Sequence, residues 1–141
     1  MEHSEALNTI RGFAPTGNEA ADVETLYRLV DELGDLKHLP EVRRELIMIF
    51  ERNPGVDLGS PGPIVHTLEQ SPIDQHVDLV AESLKRQPTI MAVWMAERCF
   101  RSNLSDRNRT VLLDALKEAA KRVKGGELAM SVAGALRNYG K

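Results

Sequence analysis

The sequence predicts an all-α fold, and three observations carry that prediction. The prolines sit where helices would begin or end: Pro15 and Pro54 close helical patterns, while Pro40, Pro61, Pro72 and Pro88 fall at first-turn positions, where a missing N–H costs nothing. Between these points apolar residues recur at helical spacing. The one run that also reads as a buried strand, Leu46-Ile47-Met48-Ile49-Phe50, has helix-like flanks (VRREL and ERN) and nothing nearby to pair with it as a hairpin.

Taken in order, the first helix runs from Glu2 to Phe13. The second starts at Asn18, a good N-cap, and carries the stripe Val23, Leu26, Tyr27, Val30, Leu33 up to Gly34, which suits a left-handed C-terminal position. The third follows Pro40, and its five successive apolar residues cover every side, so it should be buried. Residues 53–63 are the main irregular stretch and lead into a short helix, Ile64 to Gln70. The fifth helix spans Pro72 to Arg86 with Ile73, Val77, Val80 and Leu84 facing in. The sixth follows Pro88-Thr89 and is apolar nearly all round, with Trp94 expected in the core among Met91, Val93 and Phe100. Ser105 caps the seventh, whose inward residues are Leu112, Leu116, Ala119, Ala120 and Val123; Gly125-Gly126 breaks it. The eighth carries Leu128, Val132, Leu136 and Tyr139.

A weak repeat runs through these elements. Helix pairs over residues 18–53, 72–103 and 105–139 each place a more apolar helix second and end in ERN, RSN and RN. Two-helix units of this length are the signature of HEAT-like α-solenoids, in which each unit covers its neighbour's apolar face. A compact irregular bundle of about eight helices is the competing architecture.

The length, 141 residues, fits one domain able to bury a core without disulfides or metals. The single cysteine, Cys99, excludes an intramolecular disulfide and a Cys-based zinc site, and lies on an apolar helix as a small buried hydrophobe. The start, MEHSEALNTIRGF, lacks the basic and apolar run of a signal peptide, and no stretch approaches the ~20 apolar residues that span a bilayer. The expectation is a cytoplasmic protein with no membrane contact.

Net charge is -3 but unevenly spread: residues 1–100 hold 17 acids and 9 bases, residues 101–141 hold 4 acids and 9 bases. The basic tail helix, with Arg107, Arg109, Lys117, Lys121, Arg122 and Lys124, has no interleaved aromatic and is interrupted by Asp114 and Glu118, so it reads as a solvated face. A nucleic-acid-binding solenoid is further disfavoured by the acidic first hundred residues.

Catalytic motifs are absent: there is no Gly-rich phosphate loop, HExxH or G-x-S-x-G. Gly59-Ser60-Pro61-Gly62-Pro63 only mimics a phosphate turn, because its prolines remove N–H donors that phosphate would need. His66, Glu69 and His76 offer three ligands on two elements, and the simpler role for His66 is a hydrogen bond to the loop. The expectation is a non-enzyme with no cofactor and no metal. Leu58, Ile64 and Val65 should anchor the proline-rich loop as an ordered turn.

Two stretches carry a family resemblance: Leu58-Gly-Ser-Pro-Gly-Pro-Ile-Val-His66 with Thr-Leu-Glu69, and Ser83-Leu-Lys-Arg-Gln-Pro-Thr89 with Val93-Trp-Met95 and Arg98. Together they resemble small all-helical immunity proteins of bacterial polymorphic-toxin systems, including contact-dependent growth inhibition. The likeness covers about a quarter of the chain strictly and residues 20–105 loosely. It implies an inhibitor that binds a cognate protein toxin in the cytoplasm and has no catalysis of its own. A HEAT-like scaffold for another protein partner is the alternative. Many toxins of such systems are nucleases, whose positive surfaces would meet an acidic inhibitor. The expected partner-binding residues are therefore Asp22, Glu24, Asp31, Glu32 and Asp35 on the second helix, Asp57, Glu69, Asp74 and Asp78 around the motif loop, and Trp94 as a hot-spot candidate. Heptad spacing puts Glu24, Asp31 and then Asp35 near one exposed face. The motif loop itself is Gly59, Ser60, Pro61, Gly62, Pro63 and His66.

Overall fold

A computed structural model describes all 141 residues as eight α-helices and one 3-10 helix, with no strand. No helix is long and apolar enough to cross a membrane. Residue contacts gather into two units, Met1–Pro72 and Ile73–Lys141.

The first unit holds α1 (His3–Arg11), α2 (Glu19–Leu33), a 3-10 helix (Gly34–His38), α3 (Pro40–Arg52) and α4 (Gly62–Leu68). Asn18 caps α2 as expected, its side chain accepting from Ala21 N at 3.1 Å. The inward stripe of α2 is Leu26, Leu29, Val30 and Leu33, while Tyr27 is 48% exposed. At about 100° per residue Tyr27 lies a full 100° round from Leu26, off the edge of the apolar arc, which corrects its assignment to the core. Gly34 does take a positive φ of 57°, but with ψ at -132° the chain leaves the left-handed helical well and tightens into the 3-10 helix. In α3, Leu46, Ile47, Ile49 and Phe50 are buried, as a run covering every side of a helix requires.

Packing in this unit skips one element: α1 lies on α3 and α2 on α4. The expected pairing of the helices within residues 18–53 is therefore not a packed hairpin. The reason is the segment after α3. It reads as a separator, yet Leu58, Ile64, Val65 and Leu68 are all buried, and α4 takes the apolar face of α2 that α3 would otherwise cover. Each such side chain contributes roughly 1.5–3 kcal/mol by leaving water. The helix starts two residues earlier than expected, at Gly62, with Pro63 in its first turn and Pro61 as the cap; of the four prolines assigned to first turns, only Pro40 lies inside its helix. Pro88 precedes α6 because Thr89 caps it, accepting from Ala92 N at 3.0 Å.

The second unit holds α5 (Ile73–Arg86), α6 (Ile90–Phe100), α7 (Asp106–Arg122) and α8 (Gly126–Tyr139). Here α5 packs on α7, α6 on α8, and the neighbours α5–α6 and α7–α8 also touch. Ser105 caps α7 as expected, accepting from Asn108 N at 3.1 Å. The core is Val77, Val80, Leu84, Val93, Met95, Leu112, Leu116 and Val132 among others, with Cys99 buried beside it. Ile73, expected inside, is 45% exposed at the first position of α5. Ala120 is exposed, off the edge of the arc formed by Leu112, Ala115, Leu116 and Ala119, and Val123 is half-buried at the C-cap beyond the helix.

Candidate partner-binding face

The acids expected to form a binding face divide by what they do in the folded chain. Asp22 is 2% exposed, so it is no surface group. Its carboxylate accepts from Thr16 N at 2.9 and 3.1 Å and from Thr16 Oγ1 at 2.9 Å, closing the link between α1 and α2. Those bonds, the backbone N–H of Thr16 first, hold its pKa below the usual aspartate value against the opposing effect of burial. The expectation that Asp22 is exposed fails on helical spacing itself, which sets it at i, i+4, i+7 and i+11 with Leu26, Leu29 and Leu33 on the buried side of α2; the spacing does not show that the preceding turn folds back to bond it.

Glu24, Asp31 and Glu32 are exposed along α2, and Asp35 is exposed on the 3-10 helix. None of the four takes part in an ion pair. The helical projection that groups Glu24 with Asp31 ends at Gly34, so it does not carry on to Asp35. Unit one holds 13 acids and 6 bases, a net charge of -7. Two of those bases are spent internally: Arg11 reaches Glu45 at 3.1 Å and Arg52 reaches it at 3.6 Å, with Glu45 itself only 8% exposed. Arg43 is buried, and desolvation lowers its pKa. The carboxylates on the outer side of α2 thus have Arg28 as the one base of their own helix.

Asp57 is exposed and lines a cavity of about 300 Å3 together with Glu19 and Asp22. Glu69 is half-buried at the C-cap of α4. His66 is exposed on α4. No group of three or more His, Cys, Asp or Glu side chains is placed to hold a metal ion. The motif loop is a tight turn: a Cβ on Gly59, at φ 103°, would come within 2.4 Å of the Gly62 Cα, and Gly62 has φ 80°. The Ser60–Pro61 bond is cis. Pro63 is buried and Ser60 exposed.

Asp74 and Asp78 belong to the second unit and are engaged there. Arg107 meets Asp78 through two contacts, at 2.9 and 3.1 Å, and Asn108 Nδ2 donates to Asp74 at 2.8 Å, so both acids clamp α5 to the start of α7. That contact with Asp78 raises the Arg107 pKa. Trp94, expected in the core, is half-buried with the Arg98 guanidinium 5.1 Å from its ring centroid.

Two further arginines of α7 also have internal roles, while Lys117 and Lys121 are exposed. Arg109 lies 5.6 Å over the Phe100 ring and donates to the Tyr139 carbonyl at 2.5 Å. Arg122 donates to the Lys85 and Arg86 carbonyls at the end of α5. Phe100 and Tyr139 stack at 4.9 Å, and Arg101 Nε donates to the Tyr139 hydroxyl at 3.3 Å.

Sequence reasoning missed a groove of about 300 Å3 on α2, lined by Thr9, Gly12, Phe13, Thr25, Arg28, Leu29 and Glu32. The signal available was helical projection, which sets Thr25, Leu29 and Glu32 together on the side of α2 away from Tyr27. Comparison of the chain with protein-family models, curated proteins and solved structures returns no match.

Proposed function

We propose that the protein is a toxin-neutralising immunity protein that binds a basic, cognate bacterial toxin domain through the acidic face of its first unit. The observation that carries this reading is the set of exposed carboxylates at Glu24, Asp31, Glu32 and Asp35, none ion-paired, in a unit of net charge -7. Uncommitted charge of one sign draws an oppositely charged partner and raises its association rate. A nuclease domain, positive where it holds phosphates, is the matching chemistry. Inhibition then comes from covering the toxin's substrate groove, with no reaction performed by this chain and no cofactor. The place of action is the cytoplasm of the producing or sibling cell. Support also comes from the likeness of Leu58–His66 and Ser83–Thr89 to immunity proteins of polymorphic-toxin systems.

The test is protection. The proposal requires a toxin-like reading frame next to this chain's gene, and bacterial cells expressing that toxin domain should survive with the wild-type chain and die without it. Equal killing with and without the chain, when both proteins are expressed and folded, would end the proposal.

A further inference from the structure

The acidic row of α2 adjoins the missed groove. At about 100° per residue, Asp31, Glu24, Arg28, Glu32, Thr25 and Leu29 follow one another round the helix within one arc of about 160°. Glu24 and Asp31 form one side of that arc, and Thr25 and Leu29 form the wall of the groove. Tyr27, 48% exposed, borders the acids on their other side.

The groove is apolar in its interior and charged at its edge. Leu29 is 6% exposed and Phe13 is half-buried. The hydroxyls of Thr9 and Thr25 donate to the carbonyls of Glu5 and Ala21, at 2.8 and 3.0 Å, so their donors are already taken. Arg28 and Glu32, one turn apart at the mouth, make no ion pair with each other or with any other group. Its volume, about 300 Å3, is at the lower end for small-molecule pockets and suits a single side chain. Interfaces concentrate their binding energy in such buried apolar anchors ringed by polar contacts.

We propose that this groove is the anchor point of the partner interface: it takes one large apolar side chain from a positively charged segment of the partner, whose basic neighbours lie over Glu24, Asp31 and Glu32. This rests on the immunity reading for the partner's identity, but the pairing of an apolar anchor with flanking positive charge follows from the groove and from Glu24, Asp31 and Glu32, which outnumber Arg28 at its mouth.

The test uses the full-length 15N-labelled chain and three pentapeptides, KKFKK, KKGKK and EEFEE. KKFKK should shift the amides of Gly12, Phe13, Thr25 and Leu29 and bind about fivefold tighter than KKGKK, as partial burial of one phenyl group allows. KKGKK should shift only amides around Glu24 and Asp31, and EEFEE neither set. Thr25→Trp, which fills the groove from an exposed position, should abolish the fivefold preference and leave KKGKK binding unchanged. Thr25→Arg, which places like charge at the mouth, should weaken KKFKK and KKGKK alike. Equal affinity for KKFKK and KKGKK, or a preference that survives Thr25→Trp, overturns the proposal. A chain that prefers KKFKK but fails to protect toxin-expressing cells keeps the groove and loses the immunity reading. A chain that protects cells without that preference does the reverse.

Discussion

The two units differ less in how much charge they carry than in what the charge is doing. The second unit, with 8 acids and 12 bases, has a net charge of +4, yet Arg107, Arg109 and Arg122 are each bound to a carboxylate or a backbone carbonyl of its own helices. The first unit commits Asp22 and Glu45 to its frame and leaves the carboxylates of α2 and the 3-10 helix uncommitted. Charge that holds a fold together is unavailable to a partner, so the net charge of the second unit overstates what its arginines offer, although Lys117, Lys121 and Lys124 stay exposed and make no ion pair.

Substitutions separate the two kinds of charge. The largest stability loss should follow Glu45→Ala, which leaves Arg11 and Arg52 without their shared, nearly buried carboxylate. Discounted for the exposure of Arg11, a loss of about 2–3 kcal/mol is expected in urea unfolding. Gly59→Ala should cost about 1–3 kcal/mol, because a Cβ at φ 103° meets the Gly62 backbone and that backbone cannot move away as a side chain could. In the second unit, Tyr139→Ala should cost about 1–2 kcal/mol through loss of the Phe100 stack and the hydroxyl bond to Arg101. If Tyr139→Ala leaves urea unfolding unchanged, the C-terminal helix is not held by these contacts.

Asp22 sharpens the comparison through pH. Its folded pKa lies below the unfolded value, so its contribution is complete above the unfolded pKa and is lost as pH falls through the folded one. Stability should therefore drop as solutions are acidified below about pH 4, and Asp22→Asn should flatten that part of the profile. An unchanged acid limb in the variant would show that Thr16 does not hold the carboxylate in solution.

Helix existence was legible because proline placement, caps and 3.6-residue periodicity agree, and Asn18 and Ser105 cap where their hydroxyl or amide oxygen can reach an N–H three residues on. What periodicity cannot show is which helix covers which face. The residues from Asn53 to Ser71 look like a connection, but Leu58, Ile64 and Leu68 are buried and α4 packs on α2, a long-range choice no local spacing encodes. The acids of the candidate face were legible as a cluster. Of their fates, spacing shows only that Asp22 lies on the buried side of α2; its bonds to Thr16, and those of Asp74 and Asp78 to α7, it does not show. Glu24, Asp31, Glu32 and Asp35 face outward from the apolar arc and make no ion pair, although Arg28 lies one turn from Glu24, Asp31 and Glu32 on the same helix.

The smallest effect on stability belongs to those outer acids, and the proposed function gives them the largest effect on recognition. Asp31→Asn/Glu32→Gln/Asp35→Asn should unfold within about 0.5 kcal/mol of wild type, as exposed unpaired groups do. The central claim is that their charge is held for a partner, and the direct measurement is the association rate with the basic toxin domain that the proposed function requires, followed by stopped flow from low to high salt. The account predicts a wild-type rate that falls steeply with salt and a triple variant roughly tenfold slower at low salt, converging with wild type at high salt. A wild-type rate indifferent to salt, with the triple variant associating equally fast, would contradict it.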